Sequence, residues 1–156
     1  MKTYNILSIE QFKTIIDDNS RLLGIDVGAK NVGFAICDEN KKVATPLKII
    51  QRTKFQMLLK YINDIINENN IKGIIVGNPI NMDGTSGKSS QSITDFAKNL
   101  SKNVTIPITM WDERLSSEAT FKITKELGTN VSNRVNKLDK NAAAFILQGA
   151  IDYLSN

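Results

Sequence analysis

Three carboxylates in this chain of 156 residues occupy positions where an acid needs a reason. Asp26 lies inside the apolar run Leu22-Leu23-Gly24-Ile25-Asp26-Val27-Gly28. An ionised carboxylate there is costly unless a cation or hydrogen-bond donors meet it. Taken alone, Asp26 is read equally well as an acceptor for the amides of its own turn. Glu113 closes an apolar segment within Trp111-Asp112-Glu113-Arg114, and alone it reads better as half of a surface ion pair. Asp139 falls in the first turn of a final helix, where the helix dipole favours an acid whatever its role. The small residues Ala142, Ala143 and Ala144 follow it and let that end of the helix lie close to a sheet, which would bring Asp139 toward Asp26. Together the three acids make a divalent-metal site. Hard oxygen ligands without imidazole or thiolate suit Mg²⁺ or Mn²⁺. Two such ions can activate a water and stabilise the leaving oxygen in phosphodiester hydrolysis.

Composition narrows the chemistry in the same direction. The chain has no histidine, which removes Ser-His and Cys-His catalysis and His-zinc sites together. Its one cysteine, Cys37, ends an apolar run and reads as a buried small residue rather than a nucleophile. The net charge of +4 and pI of about 9.2 permit a polyanionic partner. Candidate contacts to it are Lys30, Arg114 and Lys140, together with Asn78, Asn81 and Lys88 in a polar loop. For any one of these lysines and arginines a solvated surface charge is the commoner case. No apolar run approaches the length of a membrane span. The first residues include Glu10, Asp17 and Asp18 and lack a signal-peptide pattern, so a cytoplasmic location is expected.

The elements that must position these groups follow from periodicity and punctuation. Residues 8–17 read as a short helix, with Ser8 and Gln11 spaced as a capping box. Residues 21–27 and 32–37 read as a β-hairpin across a turn at 28–31, and a third strand is expected at 42–46. Phe55, Leu58, Leu59, Ile62, Ile65 and Ile66 recur at helical spacing. A buried strand at 71–76, a long loop at 77–90 and a helix carrying Ile93, Phe96, Ala97 and Leu100 follow. A strand at 105–111, a helix at 116–127, a polar mobile stretch at 129–136 and a last helix at 137–154 complete the reading. A hairpin meander followed by βαβ units implies an α/β fold, a mixed sheet of about five strands covered by helices. Parallel strands in such sheets place their sites at the carboxyl ends. One domain over 21–156, preceded by a helical extension at 1–20, is expected.

These motifs resemble those of the YqgF family, also called RuvX or Holliday junction resolvase-like. The matching stretches are Leu23-Gly24-Ile25-Asp26-Val27-Gly28, Ala44-Thr45-Pro46-Leu47 and Gly77 through Thr85 with Gly87. They continue with Trp111-Asp112-Glu113-Arg114-Leu115-Ser116-Ser117 and Asp139-Lys140-Asn141-Ala142-Ala143-Ala144. The resemblance implies a ribonuclease H-like fold, Asp26, Glu113 and Asp139 as the acidic triad, and processing of the 5′ end of precursor 16S ribosomal RNA. RuvC resolvases carry a fourth acid near the position of Ala142 here, so a complete two-metal resolvase site is not expected. Asp112 could supply a further ligand. Two other readings stay open beside a nuclease acting on structured RNA. One is a DNA junction resolvase, which requires paired sites and therefore a dimer rather than a monomer. The other is an RNA-binding assembly factor without turnover. The actin-like ATPases also begin with an Asp-x-Gly hairpin, but this chain is too short for their paired domains.

Overall fold

The computed structural model describes residues 5–78, 88–113 and 131–155, the side chains of 88–90 and 131–141 excepted. The elements run β1 (Ile6–Leu7), α1 (Ile9–Ile15), β2 (Arg21–Val27), β3 (Asn31–Cys37), β4 (Ala44–Gln51), α2 (Phe55–Asn69), β5 (Ile71–Asn78), α3 (Lys88–Ser101), β6 (Ile108–Asp112) and α4 (Val131–Leu154). β2 and β5 are almost wholly apolar because helices cover both faces of the sheet. The strand order is β1-β6-β5-β2-β3-β4. β1, β6, β5 and β2 are parallel, and β3 runs against both β2 and β4. The carboxyl ends of β2, β4, β5 and β6 therefore share one edge.

The sheet is mixed as expected, but among the described residues it has six strands rather than about five. The sixth is β1, too short to show a period in sequence. Asn5 holds it in place: its Nδ2 donates to the carbonyls of Val104 at 2.9 Å and Ile106 at 3.0 Å. Its Oδ1 accepts from the Ser101 hydroxyl. Helix α1 has the expected capping box, with Gln11 N–H donating to Ser8 Oγ and Ser8 N–H to Gln11 Oε1, both at 3.1 Å.

Several boundaries differ from the sequence reading. β4 continues to Gln51, because Pro46 sits on an edge strand where a missing N–H need not pair. β6 begins only at Ile108, since Pro107 contributes just its carbonyl, accepting from Ile74 N–H at 2.9 Å. Within the loop expected at 77–90, Gly77 and Asn78 complete β5 and α3 starts at Lys88, while residues 79–87 lie outside the described ones. The stretch expected to be mobile is helical from Val131 onward, because polarity marks a solvated helix as readily as a loop. The helix expected at 116–127 lies outside the described residues.

Alternate residues send side chains to opposite faces. Leu23, Ile25, Val27, Val32 and Phe34 pack with Leu58, Ile62, Phe96 and Leu100 of α2 and α3. Leu22, Ala35, Ile75 and Trp111 pack on the other face with Phe12 of α1 and Ala143, Ile146, Leu147 and Ile151 of α4. Two glycines let α4 lie directly on the strands. A Cβ at Gly24 would stand 2.8 Å from Leu147 Cβ and 3.1 Å from the Ala143 carbonyl oxygen, and one at Gly77 would overlap Ile146. Gln148, wholly enclosed, fixes the helix laterally. Its Oε1 accepts from Ala44 N–H at 2.9 Å, while its Nε2 donates to the Lys42 carbonyl at 2.9 Å. Cys37 is buried as expected, and that burial pushes its thiol up.

Candidate metal centre

The registers bring the acids together. Ile25 pairs with Val76, Gly77 with Trp111 and Asn78 with Asp112, so Asp26 stands level with Gly77 and Trp111 across three parallel strands. Glu113 follows directly after β6. Asp26, Asn78, Asp112 and Glu113 are each half-buried at this edge. Leu22 and Gly24 face α4, so the pleat turns Asp26 toward α4 as well.

Electrostatics reports the same proximity. Burial, then the charge of Asp26, then that of Asp112 push the Glu113 carboxyl up to about 7 from its ordinary 4.5. Like charges held together in a partly desolvated place are unfavourable, and a cation relieves all of them at once. The donors are carboxylate oxygens, the set that hard divalent cations prefer. Among the described residues no three acidic, cysteine or histidine side chains suffice as a metal site by themselves. The third expected ligand, Asp139, belongs to α4, and its side chain is outside the described ones.

Backbone geometry still says where Asp139 falls. Gln148 meets Ala44 at one end of the strands, and Ala143 meets Gly24 further along, so the helix approaches the carboxyl edge as its residue numbers decrease. Asp139 precedes Ala143 by one turn, a rise of ~6 Å. Asp26 lies two residues past Gly24, ~7 Å along the strand. The two steps lead to the same edge of the sheet.

The nucleic-acid candidates scatter more. Lys30 is exposed in the β2–β3 turn, at the same edge of the sheet. Asn78 ends β5, beside Asp112. Asn81 and Arg114 lie outside the described residues, as do the side chains of Lys88 and Lys140. Sequence reasoning passed over Arg52. Its backbone N–H donates to the Lys30 carbonyl at 2.7 Å and its Nη1 to the Gly28 carbonyl at 3.1 Å. Its Nη2 donates to Ser92 Oγ on α3 at 3.0 Å. It therefore ties the turn that follows Asp26 to α3. An arginine just past an edge strand gives no sign of this in sequence.

A family model described as RuvX, Holliday junction resolvase, matches residues 20–153. A protein of Pelagibacter ubique named "Putative pre-16S rRNA nuclease" is 50% identical, covering 97% of this chain and 100% of the relative. One of the same name from Ruegeria pomeroyi is 42% identical, covering 96% of this chain and 97% of the relative. Among solved structures, Thermus thermophilus RuvC in complex with a Holliday junction substrate superposes with a TM-score of 0.57 at 9% identity, covering 86% of this chain and 93% of that one. The fold is thus of the ribonuclease H-like type found in RuvC.

Proposed function

This chain belongs to the RuvX family, described as Holliday junction resolvase, and from that premise we propose that it is a metal-dependent endonuclease acting in the cytoplasm on structured RNA, the 5′ region of precursor 16S rRNA above all. The observation that carries the reading is the crowding of Asp26, Asp112 and Glu113 at the carboxyl edge of the parallel strands. In this reading Asp26, Glu113 and Asp139 hold Mg²⁺ or Mn²⁺, with Lys30, Asn78, Asn81, Lys88, Arg114 and Lys140 as phosphate or backbone contacts. A bound divalent ion supplies a water of lowered pKa and charge stabilisation at the leaving oxygen. The chain's own groups do the rest. Asp26 on β2 and Glu113 directly after β6 fix ligand positions, Asn78 presents a neutral amide beside them, and Lys30 offers a positive charge to the approaching backbone.

The test is cleavage of a 5′-extended 16S precursor RNA by the purified chain with Mn²⁺, with Mg²⁺ and with EDTA. Asp26→Asn and Glu113→Gln are expected to lower cutting at least ~100-fold while the protein still melts cooperatively, since each removes a charge that the bound ion requires. Full activity in both variants would overturn the site. The junction-resolvase reading draws support from the family model's description and from the fold match to RuvC. It expects a homodimer and symmetric paired cuts in four-way DNA, and a monomer that leaves such junctions intact would exclude it.

A further inference from the structure

A second feature opens at the same edge of the sheet, on the face away from α4. Where β4 ends, α2 begins and α3 starts its course, a groove of about 550 Å³ is lined by Arg52, Phe55, Gln91, Asp95, Phe96 and Asn99. Its size falls in the range of small-molecule sites. We propose that this groove seats one unpaired nucleobase of the substrate strand, next to the bond that is cut. The proposal rests on the nuclease reading above and adds to it the kind of strand the protein takes.

The lining selects the ligand. Phe55 is half-buried and meets Phe96 edge-on, with centroids 5.5 Å apart at 75°. The pair makes an aromatic wall with one ring accessible. Around it stand the side-chain amides of Gln91 and Asn99 and the Asp95 carboxylate, which accepts from Gln91 Nε2 at 3.0 Å. Amides and a carboxylate offer donors and acceptors together, as the edge of a base requires. A phosphate fits poorly, because Asp95 repels it and the Arg52 guanidinium is already engaged by Gly28 and Ser92. A purely apolar group fits poorly too, since it would strip water from those polar side chains without replacing it. A planar, uncharged ligand with a hydrogen-bonding edge satisfies both constraints.

The position connects the groove to the chemistry. β4 is parallel to β2, so Arg52 lies at the edge that carries Asp26. Through Gly28 and Lys30 the arginine joins the groove wall to the turn that begins two residues after Asp26. A strand crossing from the acids past Lys30 runs over this shared edge toward the groove. Bases inside a duplex are stacked and unavailable to such a site, whereas unpaired bases are free to stack on an aromatic ring.

The experiment measures binding to the full-length Glu113→Gln protein, in which hydrolysis is suppressed. The probes are a four-nucleotide single-stranded RNA, its DNA counterpart, and versions with one abasic position moved along the strand. An abasic site at one position is expected to weaken binding about fivefold or more, the others having small effects. Phe55→Leu, which keeps most of the apolar volume, and Asn99→Ala are each expected to weaken the intact oligomer similarly and leave that abasic oligomer unaffected. Melting temperatures confirm that both variants fold. Equal affinity for the intact and every abasic strand, or unchanged binding in both folded variants, would overturn the subsite. Cleavage by Glu113→Gln is read separately: retained cutting would remove the metal-site assignment while leaving the base dependence of binding standing.

Discussion

Burial and two neighbouring carboxylates oppose the charge of Glu113 and push its carboxyl up to about 7. The consequence for stability has a definite sign. A carboxyl whose folded pKa is raised contributes stability below its unfolded value near 4.5, and that contribution is lost as pH rises through about 7. The metal-free protein is therefore expected to melt at lower temperature at pH 8 than at pH 5, and Glu113→Gln should remove part of that fall. Millimolar Mn²⁺ at pH 8 should raise the melting temperature of the wild type more than that of Glu113→Gln. Identical pH profiles for the two metal-free proteins would refute the electrostatic account. Thr109 offers a contrasting residue: it is wholly buried on β6, and its hydroxyl has no hydrogen-bond partner among the described residues. Thr109→Val is expected to stabilise the protein by about 1 kcal/mol in chemical denaturation, because the buried hydroxyl carries a desolvation cost with no bond to offset it.

Between elements, the decisive contact is that of α4 with the sheet. Gln148 and the spaces above Gly24 and Gly77 set where that helix lies, and with it the position of Asp139. Gly24→Ala places a methyl against Leu147 and the Ala143 carbonyl. Overpacking of this kind costs about 1–3 kcal/mol. Because the helix must shift along or away from β2, cutting should fall by more than the loss of stability explains when assayed well below the melting temperature. Activity unchanged in a destabilised Gly24→Ala protein would show that α4 does not position the site. Gln148→Leu leaves the Ala44 N–H and Lys42 carbonyl unpaired, and a loss of about 1–3 kcal/mol is expected by urea denaturation.

For the whole molecule, the sheet has β4 at one edge and the two-residue β1 at the other. The family match begins at residue 20, yet the residues before it add a strand, a capped helix and the wholly buried Phe12. Deleting residues 1–7 removes β1 and the Asn5 bonds and opens the edge of β6. We expect a loss of about 1–3 kcal/mol and a greater tendency to aggregate, since an uncovered edge strand invites pairing. Metal-dependent cleavage at low temperature should survive, because Asp26 sits on β2 and Glu113 directly after β6, neither of them on β1. No helix among the described residues is long and apolar enough to cross a membrane.

The local signals in the sequence determined β2, β3, α2 and the capped α1, because each rests on a period or a cap spanning only a few residues. The same signals singled out Asp26, since a charge inside an apolar strand contradicts its surroundings. Histidine's absence had already confined the chemistry to oxygen ligands. Tertiary structure decided what depends on pairing between distant segments. β1 exists only because β6 offers it an open edge, and β4 runs on through Pro46 because its outer side needs no partner. The register of β5 and β6 delivers Asp112 and Glu113 beside Asp26, some 86 residues away in the chain. Arg52 and its groove were illegible for the same reason. A charge bound to backbone carbonyls looks, in sequence, like any surface arginine, and only the folded edge of the sheet shows what it holds together.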